Sequence, residues 1–178
     1  PGEYKAEDVN GDDRYVQFDD KQFIGYRQPR YALGWRNDFT LYKQFDVNMF
    51  IRADLGHIGA REDFNHPNSN TYDRANTYAI PYWTEENRST KYPRLNVNYR
   101  IYEGDINLYE RRSFVRLQDL SIGYRLPSAL LTRAKVSQMR VFVSARNLLT
   151  VTSWSGWDPE SGNDPMPRIF SLGVNASF

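Results

Sequence analysis

Arg168-Ile169-Phe170-Ser171-Leu172-Gly173-Val174-Asn175-Ala176-Ser177-Phe178 alternates residue by residue. Phe170, Leu172, Val174, Ala176 and Phe178 fall on one parity; Ile169, Ser171, Gly173, Asn175 and Ser177 fall on the other. Successive side chains of a β-strand point to opposite faces, so this stretch predicts a strand with one apolar face and one small, mostly polar face. A soluble protein rarely offers a terminal aromatic such as Phe178 to water, whereas a strand that stops at a lipid boundary has a use for one.

Four segments upstream repeat the pattern. In 138–150, Met139, Val141, Val143 and Ala145 oppose Arg140, Ser144 and Arg146, with Phe142 breaking the alternation. In 113–126, Leu120, Ile122, Tyr124 and Leu126 oppose Asp119, Ser121, Gly123 and Arg125. In 46–55, Val47, Met49, Ile51, Ala53 and Leu55 oppose Asp46, Asn48, Arg52 and Asp54. In 30–42, Tyr31, Leu33, Trp35, Phe39 and Leu41 oppose Ala32, Gly34, Arg36, Asp38 and Thr40. Each segment has about the length that a tilted strand needs to cross a hydrocarbon core.

The connections alternate as well. Lys43-Gln44-Phe45 is a tight link and 57–112 is long and polar. The link 127–136 is short, with Ser128-Ala129-Leu130-Leu131 expected as a helical turn, and 153–167 is a longer loop rich in Gly, Pro and Asp. Tight turns on one side and long loops on the other are the rhythm of an outer-membrane barrel, with the long loops, including 1–29, outside the cell. The rival is a soluble, secreted β-sandwich that holds carbohydrate on its Tyr and Trp residues. It accounts for the alternation equally well, but a connection as long as 57–112 is out of place in a compact soluble domain.

Composition agrees with the barrel. Aromatics make up 15% of the chain, with 13 Tyr, 10 Phe and 4 Trp, yet the mean hydropathy is −0.73. Strict alternation between lipid and water, with aromatic girdles at both interfaces, reconciles the two. A net charge of +1 without a basic block gives no reason to expect nucleic-acid binding. The absence of Cys rules out disulfides and thiolate metal sites. No signal peptide opens the chain, so Pro1 is expected to lie within a longer polypeptide.

Phe114-Val115-Arg116-Leu117-Gln118-Asp119-Leu120-Ser121-Ile122-Gly123-Tyr124-Arg125-Leu126-Pro127 resembles a signature of SusC/RagA-type TonB-dependent transporters, with Asp119 in place of their usual Asn. Met139-Arg140-Val141-Phe142-Val143-Ser144-Ala145-Arg146-Asn147-Leu148-Leu149-Thr150, Trp154-Ser155-Gly156-Trp157-Asp158-Pro159-Glu160 and Pro167-Arg168 are similar to that family's next motifs, in the same order. Pro1-Gly2-Glu3, Asp8-Val9-Asn10-Gly11-Asp12 and Ile24-Gly25 with Pro29-Arg30-Tyr31 extend the likeness more loosely upstream. The resemblance implies a plugged 22-stranded barrel of which this chain supplies about the last five strands, scaffold and extracellular loops. It also implies import of a glycan or peptide, a SusD-like lipoprotein over the extracellular face, and energy from TonB. The plug and the TonB-contacting segment belong to the N-terminal part of such proteins, outside this chain.

Asp8-Val9-Asn10-Gly11-Asp12 places side-chain oxygens at alternate positions, the opening of a calcium-loop pattern. In that register Asp8, Asn10, Asp12 and Asp19 offer side-chain oxygens and Arg14 a carbonyl. Asp13, where the sharp turn prefers Gly, and Val16, where relatives have an oxygen ligand, depart from it. The alternative is a turn capped by its own Asx side chains. Tyr72, Tyr78, Tyr82 and Trp83, with Trp154 and Trp157, are candidates for contact with cargo or a partner, or else for interfacial belts and loop packing. Arg36, Arg52, Arg140 and Arg146 are expected to face the lumen, where they would line the substrate path or pair with a plug. His57 and His66 lack partners at metal-ligand spacing, and no catalytic constellation stands out, so an enzyme is not expected.

Overall fold

The computed structural model describes residues 1–3, 5, 7–16, 18–61, 81–94, 100–101, 104–105, 108–131, 135–162 and 164–178. The described chain is nearly all β: β1 Tyr31–Leu41, β2 Phe45–Leu55, β3 Ile58–Ala60, β4 Arg100–Ile101, β5 Gly104–Asp105, β6 Tyr109–Arg111, β7 Phe114–Arg125, β8 Gln138–Thr152 and β9 Ile169–Ser177, with one helical turn, α1 Ser128–Leu131. It divides into two compact units, Pro1–Gly25 with Gly59–Glu110, and Tyr26–Ile58 with Arg111–Phe178.

The second unit is one antiparallel sheet in the order β1-β2-β7-β8-β9. Its register carries the sequence alternation across all five strands. Phe39, Val47, Ile122, Val143 and Leu172 form one cross-strand row, and Trp35, Ile51, Leu117 and Leu149 another. Nearly all side chains on this face are apolar, Asn37 being an exception. Most lie open, Leu172 at 76% and Phe170 at 65%. The opposite face carries polar and charged residues, with one polar row across all five strands: Asp38 opposite Asn48, Asn48 opposite Ser121, Ser121 opposite Ser144, Ser144 opposite Ser171. A sheet with an uncovered apolar face and a charged face inverts the packing of a soluble domain, in which apolar side chains are buried. Among the described residues no helix is long and apolar enough to cross a membrane, which says nothing against strands that cross one.

Two irregularities cross the sheet at one level. Gln118 is an extra residue in β7 against β2, where the register steps from Phe50/Asp119 to Ile51/Leu117. Asn147 and Leu148 of β8 face the gap between Leu117 and Asp119. Asn147 takes φ 53°, the left-handed conformation that Asn tolerates best after Gly. Its side chain donates to the Pro167 carbonyl at 3.2 Å, tying the bulge to the approach of β9. Bulged pairs sharpen the local twist of a sheet.

Phe142, the exception to alternation in β8, stands on the polar face opposite Gly173. A Cβ added to Gly173 would sit 2.3 Å from the Phe142 ring, so the far end of the ring lies over the glycine. Phe50 lies likewise over Gly34, and the Arg140 guanidinium covers Gly123. The β1–β2 turn is closed by the Gln44 N–H on the Leu41 carbonyl at 3.2 Å, with Tyr42 at φ 51° and Lys43 at φ 60°. Two successive positive φ values mark the I′ geometry that matches strand twist.

In the first unit, Arg61 is nearly fully buried and pairs with Glu110 at 3.5 Å, while Lys91 reaches the same carboxylate at 2.6 Å. Burial works against the charge of Lys91, but hydrogen bonds to Glu110 and Tyr92 outweigh it and raise its pKa.

Candidate functional site

The densest chemistry of the second unit gathers where the 153–167 loop returns to the sheet. Arg116, in β7, is 1% exposed. Its guanidinium donates to Asp158 Oδ2 at 2.6 Å, Glu160 Oε2 at 2.8 Å and Thr150 Oγ1 at 3.0 Å. Arg52, its cross-strand neighbour on β2, bridges Asp54 at 2.6 Å and the other Glu160 oxygen at 2.7 Å. Arg112 donates to the Pro159 carbonyl at 2.5 Å and the Glu160 carbonyl at 2.8 Å. Three guanidinium groups thus hold one Asp-Pro-Glu tripeptide.

The carboxylates order the loop from within. Asp158 Oδ1 accepts the N–H groups of Glu160 at 2.9 Å and Ser161 at 3.4 Å, and its carbonyl accepts that of Gly162 at 2.7 Å. Phe114 is buried with Arg116 4.9 Å and Arg52 5.9 Å from its ring centre, so two cations flank one aromatic ring. A buried charge is tolerated only when paired and hydrogen-bonded, and this cluster meets that condition for Arg116 and Asp158.

Elsewhere on the polar face, Asp46 receives Arg125 at 2.9 Å and Arg140 at 3.3 Å, and Asp119 receives Arg146 at 3.2 Å. A recess of about 330 Å3 opens beside Arg36, Asp38, Asn48, Phe50, Ser121 and Arg146. Arg52, Arg140 and Arg146, expected to line the substrate path or pair with a plug, each have a carboxylate partner within the sheet, whereas Arg36 has none among the described residues.

His57 follows β2 and is buried, with its Nδ1 unsatisfied among the described residues. Burial first, and then the Arg112 charge, push its pKa below the usual value, while Asp54 opposes the shift. The imidazole is therefore held neutral at pH 7.

The 8–20 loop turns its oxygens on its own backbone. Asp8 accepts the N–H groups of Gly11 at 2.7 Å and Asp13 at 2.8 Å; Asn10 accepts that of Asp12 at 3.0 Å, and Asp12 that of Arg14 at 2.8 Å. The carboxylate that closes the loop is Asp20, which accepts Val9 N–H at 2.9 Å and Val16 N–H at 2.7 Å; Asp19, its neighbour, was the residue the sequence pattern favoured. The bonds from Val16 and then Val9 lower the Asp20 pKa. Among the described residues no three His, Cys, Asp or Glu side chains are grouped to hold a metal ion.

Of the aromatic candidates, Trp154 is 6% exposed with Arg112 5.4 Å from its ring, whereas Trp157 is 45% exposed. Trp83 packs on Gly2, where a Cβ would lie 2.6 Å from the ring, and Tyr82 is half-buried. Tyr72, Tyr78 and His66 lie outside the described residues. Sequence reasoning passed over Arg112, Arg116, Asp158 and Glu160 as a site. The signal was present in the quoted Phe-Val-Arg-Leu and Asp-Pro-Glu motifs, which are 42 residues apart at the Arg116–Asp158 contact.

No family model matches the chain. It is 30% identical over 206 aligned residues, covering its whole length, to TonB-dependent receptor P3 of Formosa agariphila, and covers 19% of that protein. It is 24% identical to TonB-dependent receptor P26 of the same organism, over 99% of this chain and 20% of that one. Among solved structures, the RagAB peptide importer in the open-open state superposes with a TM-score of 0.65 at 26% identity, over 93% of this chain and 19% of that one. The RagAB peptide transporter gives 0.56 at 25% identity, over 83% of this chain and 16% of that one. The chain thus spans about one-fifth of the length of the relatives it matches.

Proposed function

Because the chain belongs to the SusC/RagA-type TonB-dependent receptors, we propose that it supplies the C-terminal transmembrane strands of a large plugged outer-membrane barrel that imports nutrients. In this reading the sheet of the second unit is barrel wall, with its apolar face on lipid and its charged face on the lumen. Segments 1–29, 57–112 and 153–167 belong to the extracellular side. The cargo is a glycan or a peptide, a SusD-like lipoprotein covers the extracellular mouth, and TonB drives the cycle through parts of the receptor outside this chain.

One observation carries the proposal: apolar side chains continue in register from β1 to β9 on one face of the sheet, many of them open to solvent, with charge on the reverse. Among the described residues, an open sheet of this kind leaves the outer edges of β1 and β9 unpaired. Unpaired backbone groups are costly in hydrocarbon, where no water replaces the missing partner. The strands therefore need neighbours on both sides, which a closed barrel provides.

The test is expression of the full-length receptor in its host, followed by membrane fractionation and gel mobility before and after boiling. An outer-membrane protein with heat-modifiable migration is the expected result. Recovery of the 178-residue chain alone as a soluble, cooperatively unfolding monomer would return the secreted carbohydrate-binding sandwich to first place. Uptake of defined oligopeptides and oligosaccharides by cells with and without the receptor separates the two cargo classes.

A further inference from the structure

His57 is the one histidine among the described residues, and it is 7% exposed where β2 gives way to the 57–112 connection. The Arg112 N–H donates to its carbonyl at 3.0 Å, and the N–H of Gly56, one residue earlier, donates to Ser113 Oγ at 2.9 Å. The end of β2 is thereby stitched to the residues that lead into β7. The Arg112 guanidinium in turn holds the carbonyls of Pro159 and Glu160 and lies against Gly162, where an added Cβ would be 2.8 Å from it. One arginine thus joins the histidine to the 153–167 loop.

The charges around the imidazole leave no place for another cation. Arg52, Arg112 and Arg116 meet Asp54, Asp158 and Glu160 at this end of the sheet, three of each sign. Asp54, the carboxylate that acts on His57, already holds Arg52 at 2.6 Å. Arg30 packs its stem on Gly56, with its guanidinium over the Tyr26 ring, and adds a positive charge to the group. The imidazole Nδ1 has no hydrogen-bond partner among the described residues. A proton taken up by His57 therefore creates a buried cation beside a surplus of guanidinium, an arrangement that low-dielectric surroundings penalise.

We infer that His57 is a proton-sensitive latch on the 153–167 loop: protonation of its imidazole drives Arg112 off the Pro159 and Glu160 carbonyls and frees that segment. The step moves one proton from solvent to a ring nitrogen and makes or breaks no other covalent bond. In the closed loop, burial and then Arg112 hold the imidazole pKa below its ordinary 6.5, against Asp54. Once the loop lets go, the group returns toward 6.5, so the open state takes the proton first. Above 6.5 both states are neutral and the latch stays shut; below it, opening is favoured until the closed state is protonated as well. The preference reaches at most about thirtyfold at about pH 5. On the barrel reading the loop stands at the extracellular mouth, which makes the acidity of the medium the signal. The latch itself needs only contacts within one compact unit of this chain.

Hydrogen exchange in the full-length receptor is followed at the Arg112, Ser161 and Gly162 amides, which bond to His57 and Asp158, and is corrected for intrinsic rates. Between about pH 8 and about pH 5, protection is expected to fall at least about fivefold in the wild type and to stay level in H57Q, which cannot take the proton. Exchange at the imidazole C2–H, read by mass spectrometry, titrates His57 itself. A midpoint below 6.5 is expected, and R112M is expected to raise it, because one of the two influences that depress it is gone. If H57Q does not assemble, as judged by heat-modifiable migration, the midpoints of the wild type and R112M decide the matter. A midpoint at or above 6.5, a midpoint unmoved by R112M, a smaller fall in protection, or an equal fall in H57Q would overturn the inference. Absence of heat-modifiable migration in the wild type would overturn the barrel reading and leave the latch standing.

Discussion

Replacing Arg116 with methionine keeps the length of the side chain and removes its charge from the clamp on the 153–167 loop. Asp158, 6% exposed, then keeps its backbone donors but has no counter-charge, since its one ion pair among the described residues is with Arg116. Glu160 is held less tightly but retains Arg52. Breaking a buried pair from one side costs about 3–5 kcal/mol, because the remaining charge stays desolvated. That cost falls on the loop, because the strand ladder of β7 does not depend on the side chain. At about 1.4 kcal/mol per factor of ten, it corresponds to a fall in hydrogen-exchange protection of about two to three and a half orders of magnitude. The amides of Glu160, Ser161 and Gly162, all bonded to Asp158, report it directly. R116M/D158N removes both charges and is expected to recover part of the loss. Exchange at these three amides that changes less than about tenfold in R116M would refute the claim that the ionic cluster holds the loop.

Three further outcomes follow from the geometry. V143R places a charge amid the apolar rows, at a cost of about 2–4 kcal/mol in mid-membrane, whereas S144R on the reverse face is expected to assemble normally; heat-modifiable migration compares the two. G173L drives the Phe142 ring off the sheet and destabilises by about 1–3 kcal/mol, and F142A in the same chain is expected to restore part of this in urea unfolding. The lowered pKa of Asp20 contributes order to the 8–20 loop that is fully present above its ordinary value of 3.8 and is lost as pH falls through its folded value. Amide exchange at Val9 and Val16, corrected for intrinsic rates, is expected to lose protection only below that range, and D20A to remove it at pH 7. Calcium is expected to leave protection unchanged, because the backbone already occupies the loop's oxygens; a calcium-dependent rise would assign the loop as a cation site.

The five strands were legible because a period of two needs no tertiary information. The bulges were not. Val115 and Leu117 share the apolar face with Leu120 and Ile122 although their parity differs, and only pairing with β2 shows that Gln118 absorbs the step. Phe142 looked like an error in the pattern until Gly173 was opposite it. Arg116 has the parity of Leu120 and Ile122 in sequence, so its place on the polar face follows from the same step at Gln118, and its burial depends on a loop that returns from more than forty residues away. The 8–20 oxygens were visible as a pattern, but whether they turn outward to an ion or inward to N–H groups is decided by backbone conformation.

On the barrel reading proposed above, the glycines beneath Phe50 and Phe142 bear on how much room is left inside the wall. A ring laid against the wall at van der Waals contact occupies only about 3.5–4 Å of depth, and a glycine on the neighbouring strand, directly opposite Phe142 and diagonal to Phe50, leaves room for it. Apolar bulk that would otherwise project into the bore is folded along its surface, and the neighbouring guanidinium groups of Arg36 and Arg140 lie over the same rings. On that reading, width inside the wall is kept without removing the large side chains of Phe50 and Phe142.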